Sequence, residues 1–429
     1  VTKSMSTALL TDHYELTMLE AALKSGAWSR RAVFEVFARH LPDGRRYGVV
    51  AGTGRFLDAL EAFRFDEETL EFLRASQVVD EPTLEFLAGY RFSGRVDGYA
   101  EGECYFPGSP IMTVEGTFAE AVLLETVILS IFNHDCAIAS AAARMVHAAG
   151  TRPLIEMGSR RTHESSAVAA ARAAYLCGFS ATSNLMAGRT YGVPTAGTAA
   201  HAFTLLHDSE EQAFRAQLDS LGAATTLLVD TYDVTEAVRT AVELAGPTLG
   251  AIRLDSGDLA QMAHEVREQL DGLGAHKTRI IVTSDLDEYA IAALSAAPVD
   301  GYGVGTSLVT GSGSPTAAMV YKLVAREDAE GVMRPVAKKS VGKPSQGGRK
   351  TAFRELEPDG TAAAEVVTVS GEHPDGARPL QVPLVRDGEV VGREGLVTAR
   401  ARHRESLAEL PPNAHQLSRG YAAIPTVFD

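Results

Sequence analysis

Several short segments of this sequence place chemically active side chains among small residues. GTAAHAF (197–203) holds one titratable ring, His201, in a run otherwise trimmed to Gly, Ala, Thr and Phe. GSRR (158–161) sets two arginines side by side. A guanidinium can fork onto phosphate or carboxylate oxygens, which a lysine cannot match. IRLDSGD (252–258) puts Arg253 inside an apolar run, where a cation needs an anionic partner. Asp255 and Asp258 flank Ser256-Gly257 and can supply that charge, or hold Mg²⁺ and ribose hydroxyls. GVGTS (303–307) offers Gly303 and Gly305 for close backbone approach to a phosphate, with Thr306 and Ser307 as donors. Together these suggest handling of a phosphorylated sugar, with lyase chemistry and glycosyl transfer both open.

The elements that must carry these segments follow a regular pulse. Apolar runs at 153–155, 226–229, 249–252, 280–282 and 302–304 read as buried parallel strands. Amphipathic segments such as 235–245 and 260–270 separate them at helical spacing. Strand exits follow at GSRRTHESS, GTAAHAF (after 193–196), DTYD, DSGD, SDLDE and GTS. Strand and helix in alternation predict a parallel sheet closed into a barrel, whose chemistry sits at the carboxyl ends of the strands.

The two ends of the chain do not share this rhythm. Residues 92–116 and 319–400 show the alternation and turn residues of antiparallel strands, so both ends are expected to form a second, mixed α/β domain. The expected division is 1–117, 118–318 for the barrel, and 319–429, with the tail after Pro411-Pro412 loosely ordered. Residues 118–150 are apolar nearly all round, as in a buried helix or helix pair. In TDHYELTM (11–18), Asp12 and Glu15 can cap a helix reciprocally and leave Tyr14 exposed in the first turn.

Bulk properties exclude some classes. The 429 residues carry a net charge of −15, unlike a nucleic-acid surface, which needs a dense basic stripe. No stretch is expected to approach the roughly 18 uncharged apolar residues needed to cross a bilayer, and no secretion signal is visible at the start, so a cytoplasmic location is expected. Three cysteines, Cys104, Cys136 and Cys177, have neither zinc-ligand nor disulfide-framework spacing.

TDHYELTM, FNHDCAIASAAAR, EMGSRRTH, GFSATSN, GTAAHAF, LLVDTYD, IRLDSGD and GYGVGTS follow one another in the order of the nicotinate phosphoribosyltransferases. The basic segment AKKSVGKPSQGGRKTAFR (337–354) is similar to that family as well. The resemblance spans roughly residues 8 to 355. It implies a type II phosphoribosyltransferase: an irregular α/β barrel beside a second mixed α/β domain, working as a homodimer. The implied reaction joins nicotinate to 5-phosphoribosyl 1-diphosphate (PRPP), with Mg²⁺ present and ATP hydrolysis coupled. On that resemblance His201 matches the histidine phosphorylated from ATP, and Thr198 and Arg253 match nicotinate contacts. Tyr14 matches the aromatic that stacks on the pyridine ring from the neighbouring subunit. Arg160 is the better ligand candidate of its pair. Thr306, Gly303 and Gly305 match the PRPP loop, while Asp255, Ser284 and Asp285 lie where relatives hold ribose or phosphate. Metal ligands stay unassigned.

Neighbouring families fit less well. Nicotinamide phosphoribosyltransferases carry an Asp in the segment matching 181–184, where this sequence has Ser183. A carboxylate there would repel nicotinate. Quinolinate phosphoribosyltransferases are shorter and lack the GTAAHAF-type loop. A catalytically silent relative would have no reason to keep Tyr14, His201, Arg253 and Thr306 together.

Overall fold

A computed structural model describes residues 6–338, 346–369 and 371–429. Residues 339–345 of the basic segment therefore lie outside the described residues. The chain forms two compact units, 1–137 with 316–429, and 138–315.

The first unit joins both chain ends through one antiparallel sheet. Its seven strands run in the order Met333–Pro335, Met319–Glu327, Arg31–Ala38, Met112–Thr117, Arg95–Tyr99, Gln381–Arg386 and Glu389–Val390. The register Phe34↔Leu323 and Phe34↔Val114 places one N-terminal strand between a C-terminal and another N-terminal strand. A second sheet comprises Ala377–Pro379, Thr351–Leu356, Ala362–Thr368 and Thr426–Phe428. The last of these pairs in parallel with Glu365–Val367, and Ala423 N–H donates to Arg46 O. The tail after Pro411 is thus tied down by backbone hydrogen bonds and is not loose.

The expected boundary at 117/118 falls at 137/138 instead. Thr117 caps the helix Phe118–Val122 in a reciprocal capping box with Glu120, and the chain continues into Glu125–Ala149. Ala119, Val122, Leu124, Ile128, Phe132 and Cys136 are buried in the first unit's core, and that burial keeps this stretch there. The run Phe118–Ala149 also corrects the expectation about membrane spans. It reaches a mean hydropathy of 1.5 over 18 residues, long and apolar enough by composition to cross a bilayer. Two thirds of that window is buried inside the protein (67%), so its apolar surface is spent on packing.

The second unit is built on six parallel strands in the spatial order Ala181–Thr182, Leu154–Glu156, Gly301–Val304, Arg279–Ser284, Ala251–Leu254 and Thr226–Leu228. Read along the sheet, this is the cyclic order of a barrel opened between Thr182 and Thr226, a curled and incompletely closed sheet. The opening spans the part of the chain that contains GTAAHAF. The expected strand at 193–196 makes only a single bridge, Thr182↔Thr195, because Gly192 and Pro194 flank Val193 and break the ladder. Between the strands lie helices such as Val234–Ala245, whose Ala237, Val238, Ala241 and Val242 are buried on one face.

The acidic strand exits divide their work. Asp233, Asp258 and Asp287 each cap the following helix, accepting from Glu236 N–H (2.9 Å), Gln261 N–H (3.2 Å) and Ala290 N–H (2.8 Å). The first Asp of each exit, at 230, 255 and 285, is left for the sheet's carboxyl end. Asp258, a candidate ligand in the sequence, is thereby assigned to its helix.

Candidate functional site

A cavity of about 560 Å³ opens at the carboxyl ends of the parallel strands, and all its lining residues belong to the second unit. Ten of the sequence-derived candidates line it: Arg160, Thr198, His201, Arg253, Asp255, Ser284, Asp285, Gly303, Gly305 and Thr306. They come from five separate exits, and only the parallel sheet brings them together. Arg161 and Ser183 line it too.

Tyr14 belongs to the first unit. It sits half-exposed in the first turn of the helix His13–Ser25. Burial, then the nearby Glu125 carboxylate, pushes its phenol well above the usual tyrosine range. The reciprocal cap expected for this helix is not formed. Asp12 makes no side-chain cap, and Glu15 turns inward, where Thr11 Oγ1, Thr126 N–H (3.0 Å) and Thr126 Oγ1 donate to it.

Arg253 ends as a mostly buried guanidinium aimed across the opening of the barrel. Its Nη1 donates to Ala199 O (3.3 Å) and Thr198 Oγ1 (3.4 Å), so the GTAAHAF loop is held by the strand Ala251–Leu254. Asp255 lies 3.9 Å from Nη2, and the buried Nε has no partner among the described residues. Burial pushes the pKa of this guanidinium down, and Arg160 adds to the effect while Asp255 and Asp230 oppose it. A desolvated cation with unused donors is an anion receptor.

His201 opens the short helix His201–Leu206. Nδ1 shares a hydrogen bond with Thr231 Oγ1 (3.1 Å), while Nε2 faces Asp230 Oδ1 at 3.8 Å and Asp255 Oδ2 at 3.9 Å. The Asp230 side chain is nearly inaccessible. Its Oδ2 accepts from Asp255 N–H (2.8 Å) and Ser256 Oγ (3.0 Å), and its Oδ1 has no partner among the described residues. Asp255 Oδ1 accepts from the Thr283 hydroxyl, which leaves Oδ2 toward the histidine. Asp230 and Thr231 were not singled out in the sequence. They are the first two residues of the DTYD exit, and their position directly after a buried strand was the available signal.

The glycines of GVGTS have distinct structural reasons. A Cβ on Gly303 would meet Thr283 Cγ2 at 2.5 Å and Met157 Sδ at 2.7 Å, so this glycine makes room for neighbouring side chains of the sheet. Gly305 precedes the turn Thr306–Val309, where Thr306 Oγ1 lies 3.4 Å from Asp285 Oδ1.

No group of three or more His, Cys, Asp or Glu side chains suited to a metal occurs among the described residues. Asp255 and Asp285 still line the cavity, and Mg²⁺ commonly takes only one or two carboxylates while substrate phosphates and water complete its shell. The donor set therefore fits magnesium carried with a phosphorylated substrate.

Comparison with known proteins places this geometry among relatives. The nicotinate phosphoribosyltransferase (NAPRTase) N-terminal domain model matches residues 9–133, and the NAPRTase family model matches residues 153–368. The chain is 60% identical to nicotinate phosphoribosyltransferase pncB1 of Mycobacterium tuberculosis, covering 97% of this chain and 94% of that one. It is 38% identical to the Bacillus subtilis nicotinate phosphoribosyltransferase over 82% of this chain and 74% of the relative. Its structure is similar to that of human nicotinic acid phosphoribosyltransferase, with a TM-score of 0.84, 27% identity, and coverage of 98% and 97% of the two chains.

Proposed function

This chain belongs to the nicotinate phosphoribosyltransferase family, and from that premise we propose that it joins nicotinate to PRPP, giving nicotinate mononucleotide and diphosphate, with ATP hydrolysis coupled through His201. The observation that carries the reading is Arg253: a desolvated guanidinium with a free Nε, on the same cavity as Thr198, Arg160 and His201. Nicotinate presents a carboxylate and PRPP presents phosphates, so every ligand is anionic while the protein is acidic overall. Three arginines on one cavity supply the local exception.

The pyridine nitrogen attacks the anomeric carbon of PRPP as the C–O bond to diphosphate breaks, through an oxocarbenium-like state. No protein nucleophile is required, and positioning and charge stabilisation carry the step. Arg253 orients nicotinate through its carboxylate, with Thr198 fixing the guanidinium. Arg160 and the Thr306 turn hold phosphate oxygens. Asp255 and Asp285 would hold Mg²⁺, whose contribution is to neutralise the departing diphosphate.

We place the ring proton on Nδ1, donated to Thr231 Oγ1, so that His201 keeps an Nε2 lone pair that can accept the γ-phosphoryl group of ATP as ADP leaves. Asp230 and Asp255 face that nitrogen and stabilise the positive charge the ring acquires during the transfer. Water later takes the phosphoryl group and restores the ring. The family resemblance further supports a homodimer in which Tyr14 of the partner subunit supplies a stacking face for the pyridine, in a cytoplasmic enzyme.

The direct experiment supplies PRPP and Mg²⁺ with either nicotinate or nicotinamide, each with and without ATP, and separates the products by chromatography. Nicotinate mononucleotide from the acid alone, formed faster with ATP, is expected. Product from the amide alone would overturn the substrate assignment, and an ATP-independent rate would overturn the coupling.

A further inference from the structure

Glu156 ends the strand Leu154–Glu156, between the strands Gly301–Val304 and Ala181–Thr182, and is completely buried. Its carboxylate is met by hydrogen-bond donors and, among the described residues, by no cation. A buried acid without a counter-charge is costly to keep, so its two oxygens need a structural reason. Oε1 accepts from Gly158 N–H (2.5 Å) and Oε2 from Thr182 Oγ1 (2.5 Å). Thr182 Oγ1 in turn accepts from Asn184 N–H (2.9 Å), which commits the hydroxyl proton to Glu156. Asn184 Nδ2 donates to Ser159 Oγ (3.0 Å), and Ser159 is bonded to Gly158. The contacts therefore close a ring. Gly158 fits it because a Cβ there would lie 2.2 Å from Val309 Cγ1 and 2.9 Å from Glu156 Oε1.

We propose that Glu156 is a positioning residue: through this closed ring of hydrogen bonds it sets the Gly158–Arg161 turn and the Thr182–Asn184 segment against each other, and so fixes Arg160 relative to Ser183 on the cavity. The consequence for catalysis rests on the nicotinate reading given above. Arg160 is the cation for a ligand oxyanion, and Ser183 is the hydroxyl where a carboxylate would select the amide. Their separation then governs the choice between acid and amide. Backbone pairing, with Ser183 N–H donating to Glu156 O (2.8 Å), already joins the two strands, and the side-chain ring extends that tie to the Gly158–Arg161 turn. Burial raises the Glu156 pKa, while the two donors favour the carboxylate and hold its orientation.

Glu156→Gln can keep the ring, because its carbonyl accepts from Gly158 N–H while its amide donates to Thr182 Oγ1, which still has a lone pair for Asn184 N–H. Thr182→Val deletes one link without touching the first loop, whereas Thr182→Ser keeps the hydroxyl. The test compares E156Q, T182V and T182S with the unaltered chain in two measurements. Steady-state kinetics with nicotinate and with nicotinamide should show KM for nicotinate raised about 10-fold or more in T182V, with kcat changed less than about threefold and acid-over-amide preference reduced. T182S and E156Q, which keep the ring closed, should stay nearer the parent. Amide hydrogen exchange, followed by mass spectrometry, should rise in both 157–162 and 182–186 for T182V. Exchange confined to 182–186, or an unchanged KM and preference in T182V, would overturn the proposal. The exchange measurement reads the ring whatever the substrate is, so an unaltered chain inactive on nicotinate would sink the proposed activity and leave the ring separately decided.

Discussion

Asp230 presents a buried oxygen without a hydrogen-bond partner to His201 Nε2 at 3.8 Å, while its other oxygen is fixed by Asp255 N–H and Ser256 Oγ. One carboxylate thus links the GTAAHAF loop to the DSGD exit. A phosphoryl-accepting histidine requires such a partner, because its ring becomes cationic as the N–P bond forms. His201→Ala is expected to abolish stimulation by ATP while leaving a basal PRPP-dependent rate. Asp230→Asn keeps the contacts of Oδ2 but replaces the facing oxygen with an amide donor, and should lower the ATP-stimulated rate by about 10²-fold. Rates with and without ATP, together with ³²P labelling from [γ-³²P]ATP, check both. Full ATP stimulation in H201A would rule out the phosphohistidine.

Arg253 separates shape from charge. Lysine keeps the charge but offers neither the fork nor the donor pair that holds Thr198 and Ala199. Losing one charge-assisted hydrogen bond costs about 2 kcal/mol, so Arg253→Lys should raise KM for nicotinate roughly 30-fold. The KM for PRPP should move less. Equal shifts for both substrates in steady-state kinetics would place Arg253 on the phosphates instead of the nicotinate carboxylate.

Gly303 reads in sequence as a phosphate-approach glycine, yet its missing Cβ is filled by Thr283 and Met157. Gly303→Ala should therefore be a packing lesion, losing about 1–3 kcal/mol of stability through overpacking. Denaturant unfolding measures that loss. A variant of unchanged stability but raised KM for PRPP would restore the phosphate-approach role.

The candidate site was legible because its residues sit at strand exits, where the need for a buried apolar strand followed by a polar turn is written in consecutive residues. What was not legible depends on contacts between exits. Asp230 and Asp258 look alike in sequence, each an Asp in an exit of the form D-x-x-D. Only helix geometry makes Asp258 a cap and leaves Asp230 beside His201. Glu156 reads as an ordinary strand end, and its role appears once Thr182 is known to lie alongside. The strand Ala181–Thr182 is two residues long, too short for any periodicity to announce it. The domain boundary moved because an all-round apolar helix does not declare which core it fills.

The start of the helix that carries Tyr14 provides a pH-dependent prediction. Glu15 is inaccessible and accepts from Thr11 Oγ1, Thr126 N–H and Thr126 Oγ1, in place of the cap its position suggests. Burial pushes its carboxyl from the ordinary 4.5 up to about 7, against the pull of those donors. The folded protein therefore retains this proton to higher pH than the unfolded chain. Between about pH 4.5 and 7 the folded state binds more protons, so the Glu15 contribution to stability is fully present below that window and is lost as pH rises through it. Glu15→Gln can keep all three contacts: its carbonyl accepts both Thr126 donors, and its amide donates to Thr11 once that hydroxyl turns to accept. The variant should lose the pH dependence that Glu15 supplies, so its melting temperature should gain on the parent's as pH rises from 4.5 to 7.5. Thermal melts across that range check this, and parallel curves for the two proteins would show that Glu15 ionises in the same range folded and unfolded.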